Sequence, residues 1–245
     1  MKIAIFSDIH SNLEALTACR ERALAYGVEQ FVCLGDCVGY GADPVATMDL
    51  LISLPGLIAV LGNHDEHMIV ERESWPSPQV KQAVDWTRKQ LRREHLDFLG
   101  ALPYLRIERG VTYVHASAAH PYDWDYLLDA DKAWRCMQAA ETALVFIGHV
   151  HIPALYQETR SASVDLVKPE EGIPFALNPS QRCVVNVGSV GQPRDNDNRA
   201  SFVIYDEDRS SVTFERVSYD YSATGRKIIA AGLPAFFAER LESGR

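Results

Sequence analysis

The sequence predicts an α/β fold of two packed sheets with helices on the outside. Three observations carry that expectation. The first sixty residues alternate short apolar runs with helical stretches, the second half is dominated by short strand-like runs, and two helical stretches close the chain. The apolar run at 2–6 has the texture of a strand buried on both faces. Residues 12–26 read as a helix with Leu13, Leu16, Cys19 and Ala23 on one face and Gly27 just past its end. A strand at 30–34, a helix at 44–54 opened by Asp43-Pro44, and a strand at 57–61 follow. This βαβαβ start implies parallel strands joined by right-handed crossovers. Residues 79–100 read as one helix with Val80, Ala83, Val84, Trp86 and Leu91 as its apolar positions. Beyond Leu102-Pro103, strands are expected at 111–115, 143–147, 184–187, 201–205 and 212–217, with a helix at 130–140 and closing helices at 219–231 and 234–241. Segment 158–181, with its prolines and paired glutamates, reads as loop.

The chain's 245 residues, 47% of them apolar, suffice for one core, so residues 1–245 are expected to form a single domain. A net charge of −9 argues against a nucleic acid polymer as partner. Small anionic substrates stay compatible with it, because a metal cluster supplies local positive charge. The five scattered cysteines contain no CxxC pair and read as free thiols in a reducing compartment. The N-terminal apolar run is too short for a signal peptide, and nothing approaches the roughly 18 apolar residues of a membrane span. A cytoplasmic protein with no membrane partner is therefore expected. The pattern says nothing about oligomeric state.

Polar clusters sit at the ends of the short strands. Phe6 is followed by Ser7-Asp8-Ile9-His10, Leu34 by Gly35-Asp36, and Leu61 by Gly62-Asn63-His64-Asp65. Val114 runs into His115, and Ile147 into Gly148-His149-Val150-His151. Ligands bind outside the carboxyl ends of parallel strands, so these clusters are expected to converge. Asp8, His10, Asp36, Asn63, His115, His149 and His151 make an oxygen and nitrogen set without thiolate. Such a set suits manganese, iron or zinc, with nickel, cobalt or magnesium as further options. Seven side chains are too many for one ion and suffice for two if one carboxylate bridges. Two such ions clamp the attacking and leaving oxygens of an in-line displacement.

The blocks DxH, GD, GNHD, a lone strand-end His and GHxH, in this order from Asp8 to His151, resemble the calcineurin-like metallophosphoesterases. The run Asn186-Val187-Gly188-Ser189-Val190-Gly191-Gln192-Pro193-Arg194 looks like the closing motif of their small bacterial and archaeal phosphodiesterase and phosphatase members. The resemblance implies a four-layer αββα sandwich of two mixed sheets. It also implies Asp8, His10 and His151 on one divalent ion, Asn63, His115 and His149 on the other, and Asp36 as the bridge. His64 would remain unligated, contact phosphate and assist the leaving group, with a metal-bridging hydroxide as nucleophile. His64 and Asp36 are then the catalytic pair, and Asn63, His64, Arg194 and His120 the candidate substrate contacts.

The stretch Asp36-Cys37-Val38-Gly39-Tyr40-Gly41 lacks the Asp-Arg pair that follows GD in the protein Ser/Thr phosphatases, which argues against that activity. Arg194 faces either phosphate or an acid such as Asp195. Asn186 and Ser189 are candidates to support the ligands. Tyr40 and the aromatic run 122–126 either pack or stack a substrate ring. His67 reads as solvated or helix-capping, with substrate contact as the alternative, and His95 as surface. Two functions follow: hydrolysis of small, nucleotide-derived phosphomonoesters or phosphodiesters, or a non-catalytic regulatory module whose metal site is a structural staple.

Overall fold

The structure, a computed structural model, describes residues 1–71, 75, 77–161 and 163–245. Strands β1 (Lys2–Phe6), β2 (Gln30–Cys33) and β3 (Ile58–Ala59) are parallel neighbours joined by α1 (Leu13–Ala25) and α2 (Pro44–Ile52), as the alternation predicts. Helices α3 (Asn63–Ile69), α4 (Pro78–Gln90) and α5 (Arg93–Gly100) lead into β4 (Leu105–Glu108), β5 (Val111–Val114), α6 (Ala130–Ala139) and β6 (Leu144–Ile147). Then come β7 (Ala154–Glu158), β8 (Val164–Val167), β9 (Phe175–Ala176), β10 (Cys183–Asn186), β11 (Ala200–Asp206) and β12 (Ser211–Val217). Helices α7 (Tyr221–Ala230) and α8 (Ala235–Ser243) close the chain.

Two mixed six-stranded sheets result, ordered β3-β2-β1-β11-β12-β9 and β4-β5-β6-β10-β7-β8. Strand alternation explains how they face each other. Ile3 and Ile5 of β1, Val32 of β2 and Val203 of β11 meet Tyr113, Phe146 and Val185 of the second sheet in one inner core. The opposite faces of the same strands, Ala4, Phe6, Phe31 and Phe202, pack on Leu16, Cys19, Met48 and Leu51 of α1 and α2. On the far side, Val114, Val145, Ile147 and Val184 pack on Ala133, Cys136 and Met137 of α6. Because the central strands are covered on both faces, β1, β6 and β10 are apolar almost throughout. All five cysteines are buried free thiols. No helix among the described residues is long and apolar enough to cross a membrane.

Local signals set the helix ends. Asn12 caps α1 by accepting from the Ala15 amide, and Gly27 turns left-handed (φ 75°) just beyond its last turn. Pro44 opens α2 at a position where its missing N–H costs nothing. The expected single helix 79–100 is two, because Leu91 and Arg92 are extended and His95 folds back onto the Arg92 amide to start α5. Segment 158–181 is not merely loop: it contributes β8 and β9, which pair with β7 and β12. Strand β8 was hidden by its mixed, half-exposed sequence, β4 by the same mixture, and β9 by being only two residues long. His95 is not a surface residue; it is buried, with Nε2 3.0 Å from Asp49 Oδ1.

The edge-on contact of Phe202 with Phe6, at 5.2 Å between centroids, lies in the core under α1. Phe202→Ala should lower stability by about 3–5 kcal/mol in urea unfolding; a loss below about 1 kcal/mol would show that this core does not carry the sheet.

Candidate metal centre

The parallel runs β1-β2-β3 and β5-β6-β10 end on the same side, and the residues just past their ends meet in the seam between the sheets. Asp8, His10, Asp36 and His151 present ligand atoms within 4.8 Å of one another, and Asp36, His115 and His149 form a second such group. Asp36 belongs to both. Asn63 brings its Oδ1 to 3.2 Å from His115 Nε2. All are buried except the half-buried Asn63.

The hydrogen bonds around these side chains decide which atoms are left over. His10, His115 and His151 each direct Nδ1 at a backbone carbonyl, of Val38 (3.2 Å), Leu34 (2.7 Å) and Gln192 (2.6 Å). A carbonyl only accepts, so each Nδ1 carries the proton and each Nε2 keeps its lone pair. His149 is reversed: Nε2 donates to the Trp124 carbonyl at 2.9 Å, leaving Nδ1 free. The carboxylates are also half used. Asp8 Oδ2 accepts from the His149 amide (2.9 Å) and Asp36 Oδ1 from the His64 amide (2.7 Å). What remains points inward. His10 Nε2 lies 3.2 Å from His151 Nε2, His115 Nε2 lies 3.1 Å from His149 Nδ1, and Asp8 Oδ1 lies 3.1 Å from His151 Nε2. Lone pairs facing lone pairs at these distances repel unless a cation lies among them, so the donor set fits divalent metal.

Electrostatics agree. Burial pushes His10 and His151 down, and His149 to about 3, which favours the neutral, ligating form of each ring. His115 differs: burial opposes its charge, but the facing Asp36 carboxylate, followed by Asp8, raises it to about 10. Burial also opposes ionisation of Asp8 and Asp36, yet the neighbouring His151 and His115 rings hold both carboxyls well below their ordinary range. A proton on His115 and a cation in the cradle are alternative ways of neutralising the same carboxylates.

The backbone is bent to make this cradle. Asp8, His10, Asp36, His149 and His151 all have positive φ, between 50° and 64°. Non-glycine residues rarely do so, and each costs on the order of 1–3 kcal/mol. Cross-strand bonds hold the turns: Asp8 N to Gly35 O, His10 N to Asp36 O, and Gly191 N to Asp8 O. Gly148 is required by close approach, since a Cβ there would stand 1.8 Å from Ser7 Oγ and 2.6 Å from Asp8 Oδ2. The closing run fastens the seam: Ser189 Oγ donates to the Asp8 carbonyl and Asn186 Nδ2 to the Gly148 carbonyl, both at 2.9 Å.

Of the other candidates, His64 lies beside the cradle, its ring 4.3 Å from Tyr40 and 4.9 Å from His10. Its Nδ1 is buried without a partner among the described residues, and burial pushes it down to about 4. His67 is buried rather than solvated, packed on Trp75. The pairing of Arg194 with Asp195 does not form, because Asp195 pairs with Arg216; Arg194 instead donates to Gln192 Oε1 at 3.0 Å. His120 is exposed and lines a cavity of about 240 Å³ with Asp125, Tyr126, Lys132 and Arg135. Tyr126 stacks on His149 at 4.3 Å, so that cavity borders the cradle. Two positioning groups escaped the sequence reading. Gln192 acts through its carbonyl, which no side-chain pattern reveals. Asp65, fully buried, accepts from the Cys37 and Gly62 amides and so ties the ends of β2 and β3 together.

A carboxylate shared by two histidine-bearing groups, in the seam of two sheets, is the layout of a metal-dependent hydrolase. The chain belongs to the calcineurin-like phosphoesterase superfamily, whose domain pattern matches residues 1–210. It is therefore a metallophosphoesterase, of a family that depends on divalent metal. A solved metallophosphoesterase from Sphaerobacter thermophilus superposes with a TM-score of 0.88 at 39% identity, covering 100% of this chain and 99% of that one. An uncharacterized protein of Methanocaldococcus jannaschii is 37% identical over 99% of this chain and 98% of its own length. A symmetrical bis(5'-nucleosyl)-tetraphosphatase of Pseudomonas entomophila is 30% identical over 48% of this chain and 42% of its own.

Two outcomes are expected. Manganese at about 100 times its Kd should stabilise the fold by about 2.7 kcal/mol for each bound ion, a thermal shift of roughly 5–10 °C per ion, and Asp36→Asn should abolish the shift. Gly148→Ala should weaken manganese binding about 10–100-fold in equilibrium dialysis; unchanged affinity would show that the placement of Asp8 does not matter.

Proposed function

We propose that the chain hydrolyses small phosphate esters at a dinuclear centre, with Asp8, His10 and His151 holding one divalent ion, Asn63, His115 and His149 the other, and Asp36 shared. The observation that carries this reading is the membership of Asp36 in two groups of buried donors whose lone pairs converge. The donor chemistry suits manganese, iron or zinc. When bound, such ions lower the pKa of water near neutral pH and neutralise charge on phosphoryl oxygens.

The chain's own residues then divide the remaining work. His64 is the group left to meet the substrate: it is buried beside both Tyr40 and His10 and has a free ring nitrogen. Burial keeps the ring neutral in the free protein; the charge of a bound anionic substrate favours the imidazolium, which takes its second proton from solvent water and donates it to the leaving oxygen. Gly39 keeps the space beside it open, since a Cβ there would lie 2.6 Å from His64 Nδ1. Arg194, whose backbone N–H donates to the His151 carbonyl at 3.2 Å and so adjoins the cradle, is the cation for a phosphate oxygen. Tyr126 and Trp124 shield the His149 and His115 side from water. The similarity to a nucleosyl tetraphosphatase across half the chain supports nucleotide-derived substrates.

Turnover of p-nitrophenyl phosphate and bis(p-nitrophenyl) phosphate by the manganese-loaded protein tests the reading. Absence of turnover on both and on a nucleotide panel would leave the metal site as a structural staple. Asp36→Asn is expected to lose both metals and activity. His64→Ala should keep both metals while kcat falls about 10²–10⁴-fold; loss of a metal in that variant would sink its unligated role.

A further inference from the structure

Helices α7 and α8 lie beyond the residues matched by the superfamily pattern, yet they reach the active-site side of the molecule. The contact runs through Tyr40. Its ring lies 4.5 Å from His10 and 4.3 Å from His64, and 4.8 Å from Phe237 of α8. Beyond Tyr40 opens a cleft of about 390 Å³ lined by Ser77, Val80, Phe236, Phe237 and Arg240. The cleft and the metal cradle thus share one aromatic wall.

Arg240 is the charged group of that cleft. Its guanidinium lies over the Phe236 ring, 4.8 Å from the centroid, and it forms no ion pair with a carboxylate among the described residues. Burial, and then the nearby Arg194 guanidinium, lower its pKa from the ordinary arginine value. Arg194 itself has a buried Nε without a partner, and its guanidinium pairs with two uncharged groups, the Gln192 side chain and the Tyr40 hydroxyl, and with no carboxylate among the described residues. Two half-buried arginines that repel each other, with no carboxylate partner among the described residues, in a chain of net charge −9, are arranged for an anion that arrives from outside.

We propose that the cleft between Tyr40 and α8 is a second anion subsite in which Arg240 binds a further phosphate of the substrate. The assignment deepens the phosphoesterase reading and rests on it. It makes the substrates esters with at least two phosphate groups, one at the metal cradle and one at Arg240. The planar guanidinium offers paired donors to phosphate oxygens, while the Phe236 face holds it extended. The C-terminal helix pair would then select among phosphate esters without touching the reacting phosphorus.

Binding separates this role from catalysis. Manganese-loaded wild-type protein, Arg240→Gln and Arg240→Lys are titrated calorimetrically with methylenediphosphonate and with orthophosphate. Wild type should prefer the diphosphonate. Arg240→Gln should lose at least tenfold in diphosphonate affinity, with orthophosphate affinity changed less than twofold, and Arg240→Lys should fall between. Equal weakening for both anions, or an unchanged preference, would overturn the subsite. Bis(p-nitrophenyl) phosphate turnover on the same samples reads the esterase proposal separately: selective anion binding without turnover keeps Arg240 in its role and removes the esterase reading.

Discussion

Two buried carboxylates in one seam are the constraint around which the rest of this structure is arranged. Asp8 and Asp36 are almost wholly removed from water, and each spends one oxygen on a backbone amide from another strand end. The other oxygens face imidazole nitrogens whose second nitrogens already donate to carbonyls. Such a cluster is stable only if its negative charge and converging lone pairs are answered by positive charge. A proton on His115 answers it in part. Divalent cations answer it more completely, and the chemistry of a metallophosphoesterase follows from that demand.

Holding the cluster imposes strain that the sheets absorb. Five of the seven proposed ligands have left-handed backbone, and four of these are reached from the last residues of β1 and β6. Both strands sit in the middle of their sheets, flanked by neighbours and packed on both faces, so the bent turns have a rigid base. The glycines then have a definite task. Gly62 approaches Asp36, Gly148 approaches Asp8, and Gly191 approaches the Ile9 carbonyl so closely that a Cβ has no room. These contacts bring loops from both sheets within ligand distance of each other.

Around the cradle the protein changes character. An acidic chain places Arg194 and Arg240 near the same opening, and on the other flank Lys132, Arg135 and His120 line the cavity behind Tyr126. Local cations of this kind steer anionic ligands against an unfavourable net charge, since field lines concentrate in clefts with low-dielectric walls. Tyr40 and Tyr126 are those walls: one stands against His10 and His64, the other against His149.

The pattern of the chain alone determined much of this. Parallel β1, β2 and β3 with their crossovers, the two-sheet α/β fold, and the strand-end clusters that meet as a metal cradle were legible because periodicity and terminal polar residues are local properties. The break between α4 and α5, the strands β4, β8 and β9, and the burial of His67 and His95 were not, because half-exposed strands lack a clean alternation and burial depends on distant partners such as Trp75 and Asp49. Asp195 next to Arg194 suggested an ion pair in sequence, but Arg216 from a neighbouring strand takes that acid. The residues that can bind metal are thus written in the chain. Which nitrogen of each histidine is free, which carboxylate oxygen is spent, and that α8 brings Arg240 beside Tyr40 were decided only by tertiary structure, because each depends on a carbonyl, amide or ring supplied from far along the chain.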